Sequence, residues 1–395
     1  MTVDGQHIGQ RIREYRLLAG LSQQDLADRL GVSAAYVSMI EKGWRALNGR
    51  SLTDAIAQAL GVDTANLIRP PAHAPSPSER QLRMSVPAVR SALDWSFTCE
   101  PIPHQALAAD VQAVVVARMT CDYRRLGASL APTLGRALRW AETGDHAGLR
   151  ALTQVAVTAS LALRPIGYID LAVRLAERGR TAAEHAEWTA GTAAADFAIA
   201  QCALAGGTDG LRRRSLQLAA TAVDNLSNSP AEVGWAVMMN LQAGLASAAL
   251  GRTDDALARV ASASELAGQV GVDEWRIEPT RANAGVWRVG ILLEAGEHGW
   301  AVSAAREVDR SALRTTQRTA HLLTHVGRAY CLSGRPEEAT RALLEADRLA
   351  PSEVRWRSSV RESVGLMLRE ARRNAGSEHL RDLAVKMNVD PLAVK

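Results

Sequence analysis

Residues 22–45, SQQDLADRLGVSAAYVSMIEKGWR, constrain the fold more than any other stretch. Leu26, Ala27 and Leu30 recur at helical spacing and give one apolar face. Ser22 stands where a helix needs an N-cap, since its hydroxyl can accept an orphan backbone N–H one turn in. Gly31 stands where that helix must stop and the backbone turn left-handed. Val32 then enters the core, Ser33 caps a second helix, and Val37 and Ile40 supply its buried face as far as Gly43. Counting from Gln23, Ala27 is fifth, Gly31 ninth and Val37 fifteenth. Two helices crossing steeply over a short turn need a small residue where they touch, a glycine in the turn and a branched apolar residue behind.

The flanks extend the pattern. Residues 6–19 predict a helix with Ile8, Ile12, Tyr15, Leu18 and Ala19 on one side and Gly20 ending it. Ser51 caps a further helix carrying Leu52, Ala55, Ile56, Ala59 and Leu60, and Asp63–Ile68 predicts a short fifth one. In count, order and core spacing, Ile8–Ile68 closely resemble the lambda-repressor-like (Cro-type, XRE) helix-turn-helix. The competing reading of residues 22–45 alone is an ordinary helical hairpin in an all-α protein. The resemblance implies that the second helix of the pair lies in the major groove of double-stranded DNA. It places Gln23 against the DNA backbone and leaves Ser33, Ala34, Ala35, Tyr36, Ser38, Met39 and Lys42 on the reading face. Arg45, Asn48 and Arg50 lie just beyond and can grip phosphates. Arg11 and Arg13 are either further phosphate ligands or a solvated helix face.

One departure matters. Positions 34 and 35 often hold polar base-reading residues in relatives, and both are alanine here. Alanine meets only a thymine methyl, so direct readout would rest on Tyr36, Ser38 and Lys42. Residues 1–70 carry eight Lys/Arg against seven Asp/Glu. So little net charge predicts weak binding by a single copy, because phosphate contacts supply most of the affinity. The expected state is a homodimer on a palindromic operator with half-sites about one helical turn apart.

Composition agrees with packed helices. The chain has 395 residues, room for two or more domains, and is 47% hydrophobic but 4% aromatic. Its net charge is +4. Cys99, Cys121, Cys202 and Cys331 show no CxxC or Cys/His spacing, so neither metal nor cofactor is expected. Met1–Gln10 is polar, and apolar runs such as Val111–Ala117 and Ala190–Ala195 are too short for a bilayer. A cytoplasmic protein without membrane contact is expected. No P-loop, GxSxG or HExxH is present, and His321 and His325 share a helix face with no third ligand nearby, so an enzyme is not expected.

Residues 69–104 read as a linker and docking segment. Prolines 70, 71, 75, 77 and 87 disfavour regular helix over residues 69–87 and bias the backbone to extended forms. From 105 to 395 the pattern is helix after helix. Ala320–Pro351 reads AHLLTHVGRAYCLSGRPEEATRALLEADRLAP. Counted from Ala320, Leu323 is fourth, Gly327 eighth, Tyr330 eleventh, Ala339 twentieth, Ala346 twenty-seventh and Pro351 thirty-second. That is similar to the tetratricopeptide (TPR) repeat at nearly every signature position. Weaker copies cover Val237–Gly268 and Ala282–Asp309, with central alanines at Ala256 and Ala301. Leu130–Leu163 and Ile166–Gly206 read as more degenerate pairs, and residues 369–390 as a capping pair. The resemblance implies an α-solenoid with a concave groove.

Groove positions would be Met238, Leu241, Leu245 and Ala248 in one copy, and Asn283, Val286, Gly290 and Leu293 in the next. In the clearest copy they are His321, Thr324, Arg328 and Cys331. Such a mix suits an extended or helical peptide, with Asn283 and Arg328 as hydrogen-bond donors. The competing reading is a solvated groove without a ligand. A helix-turn-helix followed by TPR repeats resembles the RRNPP peptide-responsive regulators and the XRE/TPR regulators of actinobacteria. The resemblance implies a transcription regulator whose DNA binding responds to a peptide or small-molecule signal. The alternative is a TPR interaction scaffold with secondary DNA contact.

Overall fold

The computed structural model describes residues 8–45, 50–62, 67, 77–94, 103–227, 229–269, 273, 275–371, 378–387 and 389. Every regular element among the described residues is a helix, as the composition predicts. The first four are α1 (Ile8–Leu18), α2 (Gln23–Leu30), α3 (Ala34–Glu41) and α4 (Arg50–Leu60). Ile12, Leu26, Ala27, Val37, Ile40, Ile56 and Leu60 share one core, which Leu67 completes. Apart from helical, buried Leu67, the expected helix Asp63–Ile68 lies outside the described residues.

The proline-bearing stretch departs from expectation. Residues 77–87 are not extended, because Pro77–Asp94 forms one helix, α5, with Pro87 inside it. Pro77 opens the helix, where its missing N–H has no intrahelical use. Pro87 in a helix interior costs about 3 kcal/mol. Tertiary burial offsets it. Leu82, Val86, Val89 and Ala92 join the core of the following helices, and each large apolar side chain buried contributes roughly 1.5–3 kcal/mol. Those helices are α6 (His104–Met119) and α7 (Tyr123–Glu142). The approach is close: a Cβ at Gly127 of α7 would stand 2.7 Å from the Gln81 carbonyl carbon.

Helix pairs follow. They are α8 (His146–Leu163) with α9 (Ile169–His185), and α10 (Thr189–Ala205) with α11 (Asp209–Asn225). Next come α12 (Pro230–Ala249) with α13 (Thr253–Leu266), α14 (Arg281–Glu294) with α15 (His298–Glu307), and α16 (Thr316–Leu332) with α17 (Pro336–Leu349). The first members pack on one another in sequence, and each second member packs on its own partner. The two degenerate pairs read from the sequence are offset from these boundaries, since Ile166–Gly206 joins α9 to α10. Ala256, Ala301 and Ala339 are fully buried, and a Cβ at Gly327 would stand 2.6 Å from Leu343 Cγ. Small residues there let α16 and α17 cross closely. The chain ends with α18 (Pro351–Arg355), α19 (Ser358–Ala371) and α20 (Glu378–Lys386), whose Leu380, Leu383 and Ala384 cover the core below α17 and α19.

Two contacts organise the whole. First, the layer of first members closes on itself, because α6 packs on α8 and also reaches α16. Arg118 donates to Gln317 Oε1 at 3.5 Å, Tyr123 donates its hydroxyl to Glu353, and the Tyr123 and Trp356 rings meet edge-on at 4.4 Å. Second, Asp54 of α4 forms an ion pair with Arg212 of α11, both buried, joining the N-terminal domain to the repeats. No described helix is long and apolar enough to cross a membrane, and no three His, Cys, Asp or Glu among the described residues gather as a metal site.

Candidate nucleic-acid interface

The interface is built on two capped helices. Ser22 Oγ accepts from the Asp25 N–H at 3.1 Å, and Asp25 Oδ2 accepts from the Ser22 N–H at 2.7 Å, a reciprocal cap that fixes the start of α2. The Ser22 bonds hold the Asp25 carboxyl below its usual range. Gly31 takes φ 65°, the left-handed turn its position demands. Ser33 Oγ then accepts from the Tyr36 N–H at 3.2 Å and opens α3.

A buried ion pair fixes α3 against α1. Arg16 Nε and Nη2 meet Glu41 Oε1 and Oε2 at 2.5 and 3.1 Å, and Arg16 Nη1 donates to the Leu21 carbonyl at 2.7 Å. This bidentate pair escaped the sequence reading. Its signal was Arg16 falling one turn after Ile12, on the buried side of α1, where an unpaired charge is not tolerated.

The expected contact residues are placed as follows. Gln23 is half-buried and donates to Glu41 Oε2 at 2.8 Å, which braces α2 against α3. Ser33, Ala35, Lys42 and Arg45 are exposed, while Ala34, Tyr36, Ser38 and Met39 are half-buried. Ala34 and Tyr36 lean on the domain core, so part of the predicted face is packing. The Arg45 guanidinium lies over the Tyr36 ring at 5.1 Å, and Lys42 Nζ stands 4.8 Å from the Trp44 ring. Trp44 is 56% exposed and was not singled out from the sequence. Asn48 and the Arg50 side chain lie outside the described residues. Arg13 is exposed, whereas Arg11 donates to the Leu67 carbonyl at 3.2 Å and helps tie α1 to the domain's end.

Residues 12–67 match the helix-turn-helix family model. These residues form a helix-turn-helix domain. No curated protein matches the chain. Among solved structures, Bacillus thuringiensis PlcR, crystallised in complex with the peptide PapR7 and DNA, is 12% identical, with a TM-score of 0.27 over 87% of this chain and 94% of that one. That likeness is too slight to bear on fold or ligand.

In the repeats, the groove positions read from the sequence do not form one open surface. Met238, Leu241, Asn283, Val286 and Thr324 are all buried. Met238 and Leu241 pack with Trp235, Trp275, Ile277 and Ala284, because residues 275–279 fold back over α12. Val286 sits with Leu322 between α14 and α16. Asn283 spends its amide on the Ile277 and Glu278 carbonyls at 3.2 and 2.8 Å. Of the groove positions read from the sequence, Leu245, Gly290, His321 and Arg328 keep partial exposure. His321 belongs to a polar cluster. Its Nε2 accepts from Arg357 Nη2 at 2.5 Å and lies 3.2 Å from Glu353 Oε2, while Gln317 donates to Glu353 Oε1 at 3.1 Å. Burial, aided by Arg357, pushes the imidazole down to about 4. Burial raises Glu353, but His321, Arg357 and Tyr123 outweigh it and hold the carboxyl well below its usual range. The cluster clasps α7, α16 and α18 together.

Proposed function

We propose that the chain is a sequence-specific DNA-binding transcription regulator, acting as a homodimer on a two-fold operator. The repeat domain governs when and in what spacing its helix-turn-helix domains meet DNA. The observation that carries this reading is the start and end of α3. Ser33 and Ala35 are exposed at its N-terminus, Lys42 and Arg45 are exposed just past its end, and the Arg16–Glu41 pair holds the helix rigidly behind. A capped helix N-terminus and flanking cations suit phosphate and groove contacts.

The test is to select operators from genomic DNA with the full-length protein, then measure affinity for the triple replacement of Tyr36, Ser38 and Lys42 by alanine. A loss of at least ~10–100-fold is expected, the worth of even one base contact at about 1–3 kcal/mol. Unchanged affinity removes α3 as the reader. Sedimentation equilibrium with and without operator checks the homodimer; monomer in both refutes it.

Ala34 and Ala35 favour a second reading, in which the TPR-like region holds a protein partner and DNA contact is secondary. Discrete palindromic footprints support the first reading, and diffuse, salt-sensitive binding supports the second.

A further inference from the structure

Where α6 meets α16, the buried polar groups do not satisfy one another. Arg318 is 6% exposed. Its Nη2 reaches the Ile277 carbonyl only at 3.5 Å, and its Nε has no hydrogen-bond partner among the described residues. Arg118, also buried, makes one hydrogen bond among the described residues, to Gln317 Oε1 at 3.5 Å. Burial and the repulsion of Arg118 together pull the Arg318 guanidinium down to about 10. Glu353 is committed to Tyr123, Gln317, His321 and Arg357, so it closes on neither arginine.

Acceptors stand opposite these donors. Glu278 is 3% exposed; its Oε2 accepts from the Arg314 N–H at 3.0 Å, and its Oε1 has no partner among the described residues. Asn283 is fully buried, and its Oδ1 is likewise without a partner there. The Ile277 carbonyl receives both Asn283 and Arg318, which brings these two side chains together beside Glu278, the next residue in the chain; Arg118 stands close enough to Arg318 to repel its charge. The backbone is bent to achieve this. Arg276 and Glu278 adopt φ of 50° and 51°, a left-handed conformation costly for residues with a Cβ. Asp273 holds the bend by accepting from the Ile277 and Glu278 N–H groups at 2.9 and 2.8 Å.

Unsatisfied buried polar groups and strained backbone cluster at functional sites and ligand clamps. We propose that Arg118, Arg318, Glu278 and Asn283 form a buried site for a ligand that carries a carboxylate beside N–H donors. A free amino acid and the C-terminal residue of a peptide share this chemistry. The two guanidiniums take the carboxylate, and Glu278 Oε1 and Asn283 Oδ1 take the N–H groups. The proposal gives the regulatory reading of the repeat domain a ligand class, and so rests on it. Its test involves no DNA, so the two ideas fail separately.

The test is native mass spectrometry of the full-length protein with three probes. These are an equimolar mixture of the common amino acids, a random pentapeptide library with free C-terminal carboxylates, and the same library amidated at the C-terminus. The expected result is an adduct from the first or second probe and none from the third. That adduct should weaken by about tenfold or more in Arg318→Met and in Glu278→Gln, the loss of one charged contact. An adduct from the amino-acid mixture identifies a free amino acid; one from the second probe alone identifies a peptide terminus. Absence of any adduct from the first two probes overturns the proposal. So do equal adducts from the free and amidated libraries, or adducts unchanged in the variants. If Arg318→Met fails to fold, Glu278→Gln carries the same comparison.

Discussion

Asp54→Ala and Arg212→Met test whether the helix-turn-helix domain and the repeats move as one piece. The two side chains are 8% and 3% exposed, so water replaces little of what either loses. Removing one partner from a buried pair costs about 3–5 kcal/mol. Arg212 also holds Asp209 at 2.6 Å, and Asp209 is 63% exposed. Asp54→Ala leaves Arg212 its ion pair with Asp209 and should fall near the low end, at about 3 kcal/mol. Arg212→Met forfeits both contacts and should cost more. The loss falls on docking rather than on either fold, since Asp54 lies outside the core formed by Ile12, Val37, Ile40 and Ile56. About 3 kcal/mol corresponds to roughly a 150-fold change in the docked-to-undocked ratio. Hydrogen-exchange mass spectrometry reads it directly. Amides of residues 50–60 and 209–215 should exchange faster by roughly that factor, while amides of α2 stay as in the unaltered protein. A double-mutant cycle should give a coupling above about 1 kcal/mol. Exchange in residues 50–60 that matches the unaltered protein, or additive single effects, would refute the idea that this pair joins the domains.

Other consequences are open to direct measurement. Ser22→Ala removes the hydroxyl that accepts the Asp25 N–H and should destabilise the helix-turn-helix domain by about 1 kcal/mol, read from urea unfolding. Glu41→Gln leaves Arg16 buried without its counter-charge; the domain should lose about 3–5 kcal/mol, and a loss under ~1 kcal/mol would show the pair to be dispensable. Pro87→Ala restores a backbone donor inside α5 and should raise the melting temperature, with a net gain of about 2 kcal/mol; an extended segment would instead lose slightly through the unfolded chain. His321, held down at about 4, stays neutral in the folded protein while the unfolded chain takes up a proton near 6.5. The unfolded state then binds more protons, so stability from this group is full above pH 6.5 and falls as pH drops toward 4. An NMR titration placing His321 near 6.5 would remove that dependence.

What could be read from the sequence was local. Ser22, Gly31, Ser33, Val37 and Ile40 each act within a few residues of their own position, and the structure places each where helix spacing and capping require. What could not be read depends on distant partners. The Arg16–Glu41 pair spans 25 residues, and the Arg118–Gln317 contact spans 199. The helix at Pro77–Asp94 defeats its own proline because Leu82 and Val89 find a core in α7, which no local rule contains. The groove positions went astray for a related reason. A repeat register says which side of a helix faces the groove, and here the groove is filled by Trp275, Ile277 and neighbouring helices. His321 reads from the sequence as a groove position, yet Glu353 of α18 and Arg357 just beyond it close over its ring, and Tyr123 of α7 holds Glu353 in turn.

The helical start at Pro77 also shortens the tether of the helix-turn-helix domain. Nine residues lie between buried Leu67 and Pro77, and the ten steps of chain from one to the other reach at most ~36 Å. A longer tether would dilute the domain through a large volume around the repeats. This one confines it, and confinement of that order corresponds to an effective concentration in about the millimolar range. Docking through Asp54 and Arg212 then needs little intrinsic affinity to be well populated. If two copies pair as proposed, this length of chain, ending on α5, limits how far apart their helix-turn-helix domains can stand. Operator spacing would be written into the length of a tether and the placement of one helix.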